Sequence, residues 1–204
     1  MRAVIISGGT ISDYEYIKAQ INNGDTIICA DSGYNHAVKM GLAPDIVVGD
    51  FDSIGKMPND IPCLSYPSHK DLTDTEIAIE HARSKGLKSF LLIAATGSRI
   101  DHSLTNILLL KYFLERGETA VIVNENNKVM ITDSQLRLSG LPGSIVSLVP
   151  LTDCYGVTTN NLAYPLSDAA MFVGKGLGVS NIMLDDNATV FVKDGVLLVI
   201  IAKD

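Results

Sequence analysis

The sequence predicts an α/β protein, with an N-terminal parallel-sheet, Rossmann-like domain followed by a C-terminal all-β sandwich. Up to residue 124, short apolar runs alternate with segments of helical spacing, which is typical of a mostly parallel sheet with helices on both faces. From residue 125 the apolar runs are short and bounded by turn residues, and no long helical pattern follows. We therefore predict two domains, residues 1–124 and residues 125–204.

The elements of the first domain are short and regularly spaced. The first strand, residues 2–6, ends at Ser7-Gly8-Gly9. Further strands are predicted at 26–30, 45–48, 62–66, 89–95 and 120–123, and helices at 14–21, from Gly33 to Met40, at 74–85 and at 102–116.

The second domain begins after the turn signal Asn124-Glu125-Asn126-Asn127. Its strands are predicted at 128–132, 135–138, 144–150, 188–193 and 196–202. Asp194-Gly195 separates the last two, and Asp-Gly between two apolar strands predicts a β-hairpin.

The composition excludes several classes of protein. The chain has 204 residues and a net charge of -7, which argues against nucleic acid or an anionic membrane as the main partner. The three cysteines are far apart, so neither a disulfide scaffold nor a zinc site is expected, and a reducing cytoplasm fits. Cys29 lies in an apolar run and is predicted to be in the core. No apolar run approaches the roughly 18 residues of a membrane span.

Acidic residues recur where strands of the first domain end or where helices begin. Carboxylates gathered at one edge of an α/β sheet are suited to holding Mg²⁺ against a polyphosphate. The residues concerned are Asp31, Asp50, Asp52, Asp71, Asp74 and Asp101.

Asp50 and Asp52 flank Phe51 just past a predicted strand. If the chain stays extended there, the two carboxylates point to the same side, where they repel each other unless a cation lies between them. The alternative is a solvated turn, because Asp and Gly are common turn residues.

Two further segments combine acidic and basic residues. In the segment 70–74, Thr73 can form a capping box with Glu76, while Lys70 suits phosphate oxygens and the neighbouring Asp residues suit a metal. In the segment 97–102, Arg99 can fork onto a phosphate, and Asp101 can cap the helix, bind Mg²⁺ or accept a proton.

Other polar residues give weaker signals. His102 is expected to orient a partner by a hydrogen bond, and Asn106 lies one turn further on the same side of the helix. Ser7-Gly8-Gly9 is a candidate phosphate or adenine loop, although neither a Walker motif nor a dinucleotide fingerprint is present. His36, His69 and His81 share no metal-ligand spacing and are expected to make surface or helix contacts.

Taken in order, the motifs resemble those of the thiamine pyrophosphokinase family. The resemblance rests on Ala30-Asp31-Ser32-Gly33, Gly49-Asp50-Phe51-Asp52-Ser53, Lys70-Asp71-Leu72-Thr73-Asp74 and Arg99-Ile100-Asp101-His102, and Gly178-Val179-Ser180-Asn181 is similar to the thiamine-side motif. It implies a homodimer with active sites at the subunit interface, and the reaction of ATP with thiamine, with Mg²⁺, to give AMP and thiamine diphosphate.

The resemblance also implies roles for individual residues. By this resemblance, the metal ligands are Asp50, Asp52 and Asp74. The residues for catalysis and polyphosphate binding are Lys70, Asp71, Arg99 and Asp101, and those for nucleotide binding are Asp31, Ser32, Gly33, Thr73, His102 and Asn106. The thiamine-binding residues are Ser180 and Asn181. Either Asp101 or Asp71 takes the alcohol proton. The chain has no Trp to stack on thiamine, so Tyr164 and Phe172 are the alternatives. After the Ser-Asn pair this chain has Ile182, whereas many relatives have an acidic or amide residue at that position.

Three rival functions use the same residues. The first is a pyrophosphokinase for another alcohol, such as a hydroxymethylpterin. The second is a regulatory protein that binds a nucleotide without turnover. The third is a metal-dependent phosphohydrolase, although the sequence shows no Ser-His-Asp or Cys nucleophile arrangement that would support covalent hydrolysis.

Overall fold

A computed structural model describes residues 1–52, 54, 60–66 and 71–203. The chain divides into two compact units. The first contains Met1–Leu109 and Arg116–Glu125, and the second contains Leu110–Glu115 and the chain from Asn126 onward.

The first unit alternates strands and helices, as the sequence predicts. The described strands are β1 (Ala3–Ile6), β2 (Thr26–Ala30), β3 (Ile46–Gly49), β4 (Cys63–Ser65), β5 (Ser89–Ile93) and β6 (Thr119–Val123). The described helices are α1 (Tyr14–Lys18), α2 (Gly33–Lys39), α3 (Asp74–Ser84) and α4 (Ile100–Glu115), whose last residues belong to the second unit. Helix α1 is shorter than predicted because the turn at Asn22-Asn23-Gly24 follows it, and Gly24 has a φ of 91°.

All pairs in the sheet of the first unit are parallel, and the strand order is β6-β5-β1-β2-β3-β4. The chain builds outward from β1 to β4, and then returns to the other side of β1 to add β5 and β6. The order therefore reverses between β1 and β5. In open parallel sheets, such a reversal opens a crevice at the carboxyl ends of the strands, where ligands bind.

The core of the first unit follows from these strand sequences. Every residue of β1 is buried, and β5 is buried from Phe90 onward, which is expected for central parallel strands covered on both faces. Cys29 is fully buried in β2, so its predicted place in the core is confirmed. Helix α3 begins with the predicted capping box, in which Thr73 accepts from the Glu76 backbone and Glu76 accepts from the Thr73 backbone.

The second unit contains two antiparallel sets of strands. Their described elements are β7 (Asn127–Thr132), β8 (Gln135–Ser139), β9 (Ile145–Pro150), β10 (Cys154–Asn160), β11 (Ala169–Met171), β12 (Asn181–Ile182), β13 (Asn187–Phe191) and β14 (Leu197–Ala202). One set has the order β12-β9-β14-β7 and the other β11-β10-β13-β8. The sequence analysis missed β10, β11 and β12. Strand β10 is rich in Thr and Asn, and its register shifts between Cys154 and Val157, which removes the apolar alternation that marks a strand.

The predicted hairpin at Asp194-Gly195 is wrong. Strand β13 pairs with β8 and β10, whereas β14 pairs with β7 and β9, so the turn carries the chain from one set of strands to the other. The burial patterns explain the difference: β13 alternates between buried and exposed residues, while the first three residues of β14 are all buried. Gly195, with a φ of 104°, makes a turn, but a turn residue does not determine which strands pair.

Within the described ranges, no helix combines the length and the apolar character needed to cross a bilayer.

Candidate active site

A cavity of about 580 Å³ opens at the carboxyl ends of β1, β2, β3 and β5 in the first unit. The crevice predicted from the strand order therefore exists, and it is lined by polar side chains and loop backbone. The lining residues used below are Ser7, Gly8, Gly9, Thr10, Asp31, Ser32, Asp50, Asp52, Thr73, Asp74, Thr75, Ala94, Ala95, Thr96, Gly97, Arg99, His102, Ser103 and Asn106.

Three carboxylates meet in this cavity. One oxygen each from Asp31, Asp50 and Asp52 lies within 4.8 Å of the others, and we call these three residues the carboxylate cluster. Like charges at such distances repel each other, and a divalent cation among them relieves the repulsion. Carboxylate oxygens are also the ligands that Mg²⁺ prefers, so the donor set fits this ion.

A turn brings Asp50 and Asp52 together, which is the alternative to an extended chain that the sequence left open. Phe51 has a left-handed φ of 67°, and the Asp52 N–H donates to Asp50 Oδ1 at 3.3 Å. The expectation of an extended chain at this point is therefore wrong, because a tight turn and not strand alternation sets the two side chains. Asp31, at the end of β2, is also left-handed, with a φ of 43°. Each such residue costs about 1–3 kcal/mol, a cost typical of functional sites.

The first turn of α3 forms another wall of the cavity. Thr73, Asp74 and Thr75 all line it. The Thr75 and Ser7 hydroxyls lie 2.9 Å apart, and both residues are buried, so this hydrogen bond ties the start of α3 to the end of β1. Asp74 therefore faces the same cavity as the carboxylate cluster, although it is not one of the three residues that meet within 4.8 Å.

Glycines allow the loops at the strand ends to approach one another. A Cβ on Gly9 would lie 2.3 Å from the carbonyl oxygens of Ala94 and Thr96, and a Cβ on Gly33 would lie 1.9 Å from the Ile6 oxygen. Neither position has room for a side chain. Gly33 is buried at the start of α2 and is not among the lining residues, so its observed role is to let α2 approach β1.

Arg99 and Asp101 form an exposed ion pair at the start of α4. Arg99 Nη2 lies 2.6 Å from Asp101 Oδ2, and Nε donates to Oδ1 at 3.2 Å. The hydrogen bond from Arg99 is the largest cause that lowers the pKa of Asp101 to about 2, and a hydrogen bond from the His102 backbone and the charge of Arg99 add to it. Arg99 lines the cavity, whereas Asp101 does not. A carboxylate with so low a pKa is a weak proton acceptor for as long as the pair persists.

Helix α4 also supplies His102 and Asn106 to the cavity wall, on one side of the helix as predicted. Asn106 is buried, and its amide donates to the Ala95 oxygen at 2.7 Å. Ser103 makes a further contact, with its hydroxyl accepting from the Gly97 N–H at 3.0 Å. These two bonds hold the loop after β5 against α4.

The remaining predicted residues lie elsewhere. Asp71 is exposed and is not among the lining residues. Lys70 and Ser53 lie outside the described residues. Ser180 and Asn181 belong to the second unit, where Ser180 is exposed with a φ of 59°.

Asn181 is occupied by backbone contacts. Its side chain is buried, donates to the Tyr164 oxygen at 2.7 Å and accepts from the Tyr164 N–H at 2.9 Å. The amide is therefore committed to holding the segment that carries Tyr164, whose own side chain is exposed.

Several lining residues carried no clear signal in the sequence. Ser7 stood beside two glycines, and the weak loop signal at Ser7-Gly8-Gly9 pointed to the right place. Thr75 and Thr96 could not be distinguished from ordinary helix and loop threonines, because their contacts reach across the sheet from distant parts of the chain.

Two family models match this chain. The model of the thiamin pyrophosphokinase catalytic domain matches residues 17–123, more than half of the chain, and the model of the family's vitamin B1 binding domain matches residues 129–197. The thiamine pyrophosphokinase of Bacillus subtilis (strain 168) is 26% identical over 98% of both chains.

Solved structures show the same fold. The crystal structure of the Bacillus subtilis thiamine pyrophosphokinase superposes with a TM-score of 0.91 and 22% identity, covering 100% of both chains. That of the thiamin pyrophosphokinase from Candida albicans superposes with a TM-score of 0.76 and 16% identity, covering 99% of this chain and 89% of the other.

Proposed function

Because this chain belongs to the thiamin pyrophosphokinase family, we propose that the cavity around its carboxylate cluster transfers the pyrophosphoryl group of ATP to the hydroxyl of thiamine, giving thiamine diphosphate and AMP. Both family models support the predicted class of enzyme, a thiamine diphosphokinase. The observation that carries the assignment of the site is the convergence of Asp31, Asp50 and Asp52 in the cavity at the carboxyl ends of a parallel sheet.

The carboxylate cluster is proposed to hold Mg²⁺, with Asp74 close enough to share the cavity wall. The bound ion would neutralise the charge that builds up on phosphate oxygens during transfer. The loops at the ends of β1 and β5 then receive the polyphosphate and the nucleoside, and Ser32, Thr73, His102 and Asn106 belong to the wall that surrounds them.

Transfer requires the thiamine hydroxyl to attack the β-phosphorus while AMP leaves. Arg99 is the described cationic side chain on the cavity wall, and it would exchange its contact with Asp101 for phosphate oxygens. Lys70 is proposed as a second polyphosphate ligand. Asp71 and Asp101 both stay candidates for the proton acceptor, because the ion pair that lowers the pKa of Asp101 is broken once Arg99 turns to the phosphate oxygens.

The second unit is proposed to be a β-sandwich that binds thiamine and forms the homodimer, with active sites at the subunit interface, after a Rossmann-like first unit. Ser180 and the segment held by Asn181 are its candidate thiamine residues. Tyr164 and Phe172 are both exposed, and Phe172 meets Tyr155 edge-on with ring centroids 6.2 Å apart. Tyr164 is therefore the aromatic side chain more available for stacking. A cytoplasmic location stays a prediction.

Mass analysis of products tests this proposal. The protein is incubated with ATP, Mg²⁺ and thiamine, and the expected products are thiamine diphosphate and AMP in equal amounts. Parallel incubations with a hydroxymethylpterin and without any alcohol separate the rivals. If only the pterin is diphosphorylated, the acceptor is the pterin and not thiamine. Phosphate release without an acceptor would indicate a hydrolase. Nucleotide binding with no AMP in any incubation would indicate a regulatory protein.

A further inference from the structure

His36 lies between the loop after β1 and the start of helix α1, although its sequence context suggested only ordinary helix contacts. It projects from α2, with Nε2 2.9 Å from the Gly9 oxygen and Nδ1 2.9 Å from the Tyr14 hydroxyl. A carbonyl oxygen only accepts, so Nε2 carries the hydrogen. In the neutral ring, Nδ1 then accepts from the Tyr14 hydroxyl. The two contacts fix both the tautomer and the orientation of the imidazole.

Neutral imidazole is the form that the surroundings favour. Burial lowers the pKa of His36 and outweighs the hydrogen bond to Gly9 and the charge of Glu125, which raise it, and the nearby Lys39 lowers it further. The ammonium of Lys39 also lies over the Tyr14 ring, 5.5 Å from its centroid. A positive charge on the imidazole would therefore meet a second positive charge close by.

The Gly9 end of this contact belongs to the cavity wall. We call Ser7–Thr10 the β1 loop; all four of its residues line the cavity. On its other side, the Gly9 N–H donates to the Ala94 oxygen at 2.7 Å, and the Thr10 N–H donates to the Thr96 oxygen at 2.9 Å. The β1 loop is thus held between the loop after β5 and the imidazole of His36.

We propose that His36 is a positioning residue for nucleotide capture, which holds the β1 loop in the shape that receives the polyphosphate of ATP. The inference rests on the proposed function, because that function places ATP in this cavity. His36 does not touch the substrate in this account. It acts through the Gly9 carbonyl, and Tyr14 sets the angle of its ring.

The variants His36→Gln and His36→Asn separate this role from general packing. A Gln amide can place an N–H near the position of Nε2 and restore the bond to Gly9, whereas the shorter Asn amide reaches only the region of Nδ1. His81→Asn on α3 is the matched control, because His81 is also partly buried and does not line the cavity. Tyr14→Phe removes only the outer partner.

The expected result is a selective loss of ATP affinity in His36→Asn. Loss of one hydrogen bond that orders the loop should raise the KM for ATP about threefold to tenfold. The KM for thiamine and the kcat at saturating ATP should stay within about twofold, because bound ATP itself holds the β1 loop in the shape that receives it. His36→Gln should recover most of the ATP affinity, and His81→Asn should match the wild type. An unchanged KM for ATP in His36→Asn, or an equal defect in His36→Gln, would overturn the inference.

Amide hydrogen exchange provides a readout that needs no substrate. Exchange in residues 7–13 should be faster in His36→Asn than in His36→Gln or the wild type, at equal melting temperatures. Equal exchange in all three proteins would also overturn the inference. If the wild type forms no thiamine diphosphate, the proposed function fails, and the exchange comparison alone decides whether His36 orders the β1 loop.

Discussion

The two edges of the parallel sheet in the first unit use charged residues in opposite ways. At the amino ends of the strands, carboxylates are paired with guanidinium groups: Glu118, before β6, meets Arg83 at 2.6 Å, and Asp25, before β2, meets Arg2 at 2.5 Å. At the carboxyl ends, three carboxylates are instead gathered with one another. The first arrangement stabilises the fold, and the second is suited to a cation that the fold itself does not supply.

The backbone conformation also differs between the two edges of the sheet. Asp31, Phe51 and Ala94 all follow strands at the carboxyl edge, and all three have left-handed φ values although none is glycine. Among the described residues of the first unit, the non-glycine residues with left-handed φ values therefore all lie at the carboxyl edge of the sheet. The comparison predicts that substitutions at the carboxyl edge change activity more than stability, and that substitutions at the amino edge do the reverse.

The largest effect is expected at the carboxylate cluster. Asp52→Asn should lower turnover about a hundredfold or more, since an interaction worth several kcal/mol in the transition state is weakened. The melting temperature should stay the same or rise, because the substitution relieves repulsion among the three carboxylates. The control is Glu15→Gln, an exposed residue of α1 with the same change in charge. Near-normal turnover in both Asp50→Asn and Asp52→Asn would remove the metal assignment.

The next effect is expected at the amino edge. The side chains of Arg83 and Glu118 are only 8% and 7% exposed, and three hydrogen bonds join them. Glu118→Gln should lower the free energy of unfolding by about 3 kcal/mol, because it removes the buried negative charge that faces the Arg83 guanidinium.

Urea denaturation measures this loss, and kcat/KM should stay unchanged. If Glu118→Gln were as stable as the wild type but impaired in turnover, the expected difference between the two edges of the sheet would be reversed. Glu80→Gln is the matched control, since its contact with Arg83 is largely exposed.

A smaller effect is expected at Asp25, with a dependence on pH. Burial raises the pKa of its carboxyl, but the hydrogen bonds from Arg2 and the Asn22 backbone and the charge of Arg2 together lower it below its usual value. A depressed folded-state pKa gives stability that is present above the unfolded pKa and is lost as the pH falls through the folded one.

Asp25→Asn should therefore cost roughly 1–2 kcal/mol at neutral pH. The difference from wild type should shrink as the pH falls below about 4, where the unfolded chain takes up protons. Unfolding curves measured across this range provide the check, and a gap between the two proteins that stays constant with pH would contradict the origin assigned to it.

The smallest effect is expected at Thr73, which has a role both in the stability of the fold and in the site. It caps α3 and lines the cavity. Thr73→Ala should cost about 1 kcal/mol of stability through the lost cap, and Thr73→Ser should restore it. A change in the KM for ATP that persists in Thr73→Ser would show that its methyl group also contributes to the site.

The carboxyl edge could be predicted from the sequence because its signals are local. Asp31 and Asp50 follow apolar strands directly, and the capping box at Thr73 is readable from a spacing of three residues. A turn at Asp50-Phe51-Asp52 was one of the two alternatives that the sequence left open, but the left-handed φ of Phe51 could not be predicted, because few residues other than glycine adopt it. The contact of His36 with Gly9 joins residues 27 positions apart and depends on how α2 lies against β1.

The second unit was harder to predict for a related reason. Its strand assignments depend on pairing between distant segments, and Asp194-Gly195 gives the local signal of a hairpin while the chain passes between two sets of strands. Asn181 was expected to be a thiamine ligand on motif grounds, yet its amide holds the backbone of Tyr164. Local sequence identifies such residues without revealing which of their atoms are available.

Direct measurement of cation binding tests the central claim. Mn²⁺, which electron paramagnetic resonance detects when free in solution, is titrated into the wild type, Asp52→Asn and Glu15→Gln, and Mg²⁺ is then added as a competitor. The account predicts that the wild type and Glu15→Gln bind Mn²⁺ and release it to Mg²⁺, and that Asp52→Asn binds it about tenfold more weakly or worse. Equal binding by all three proteins would contradict it.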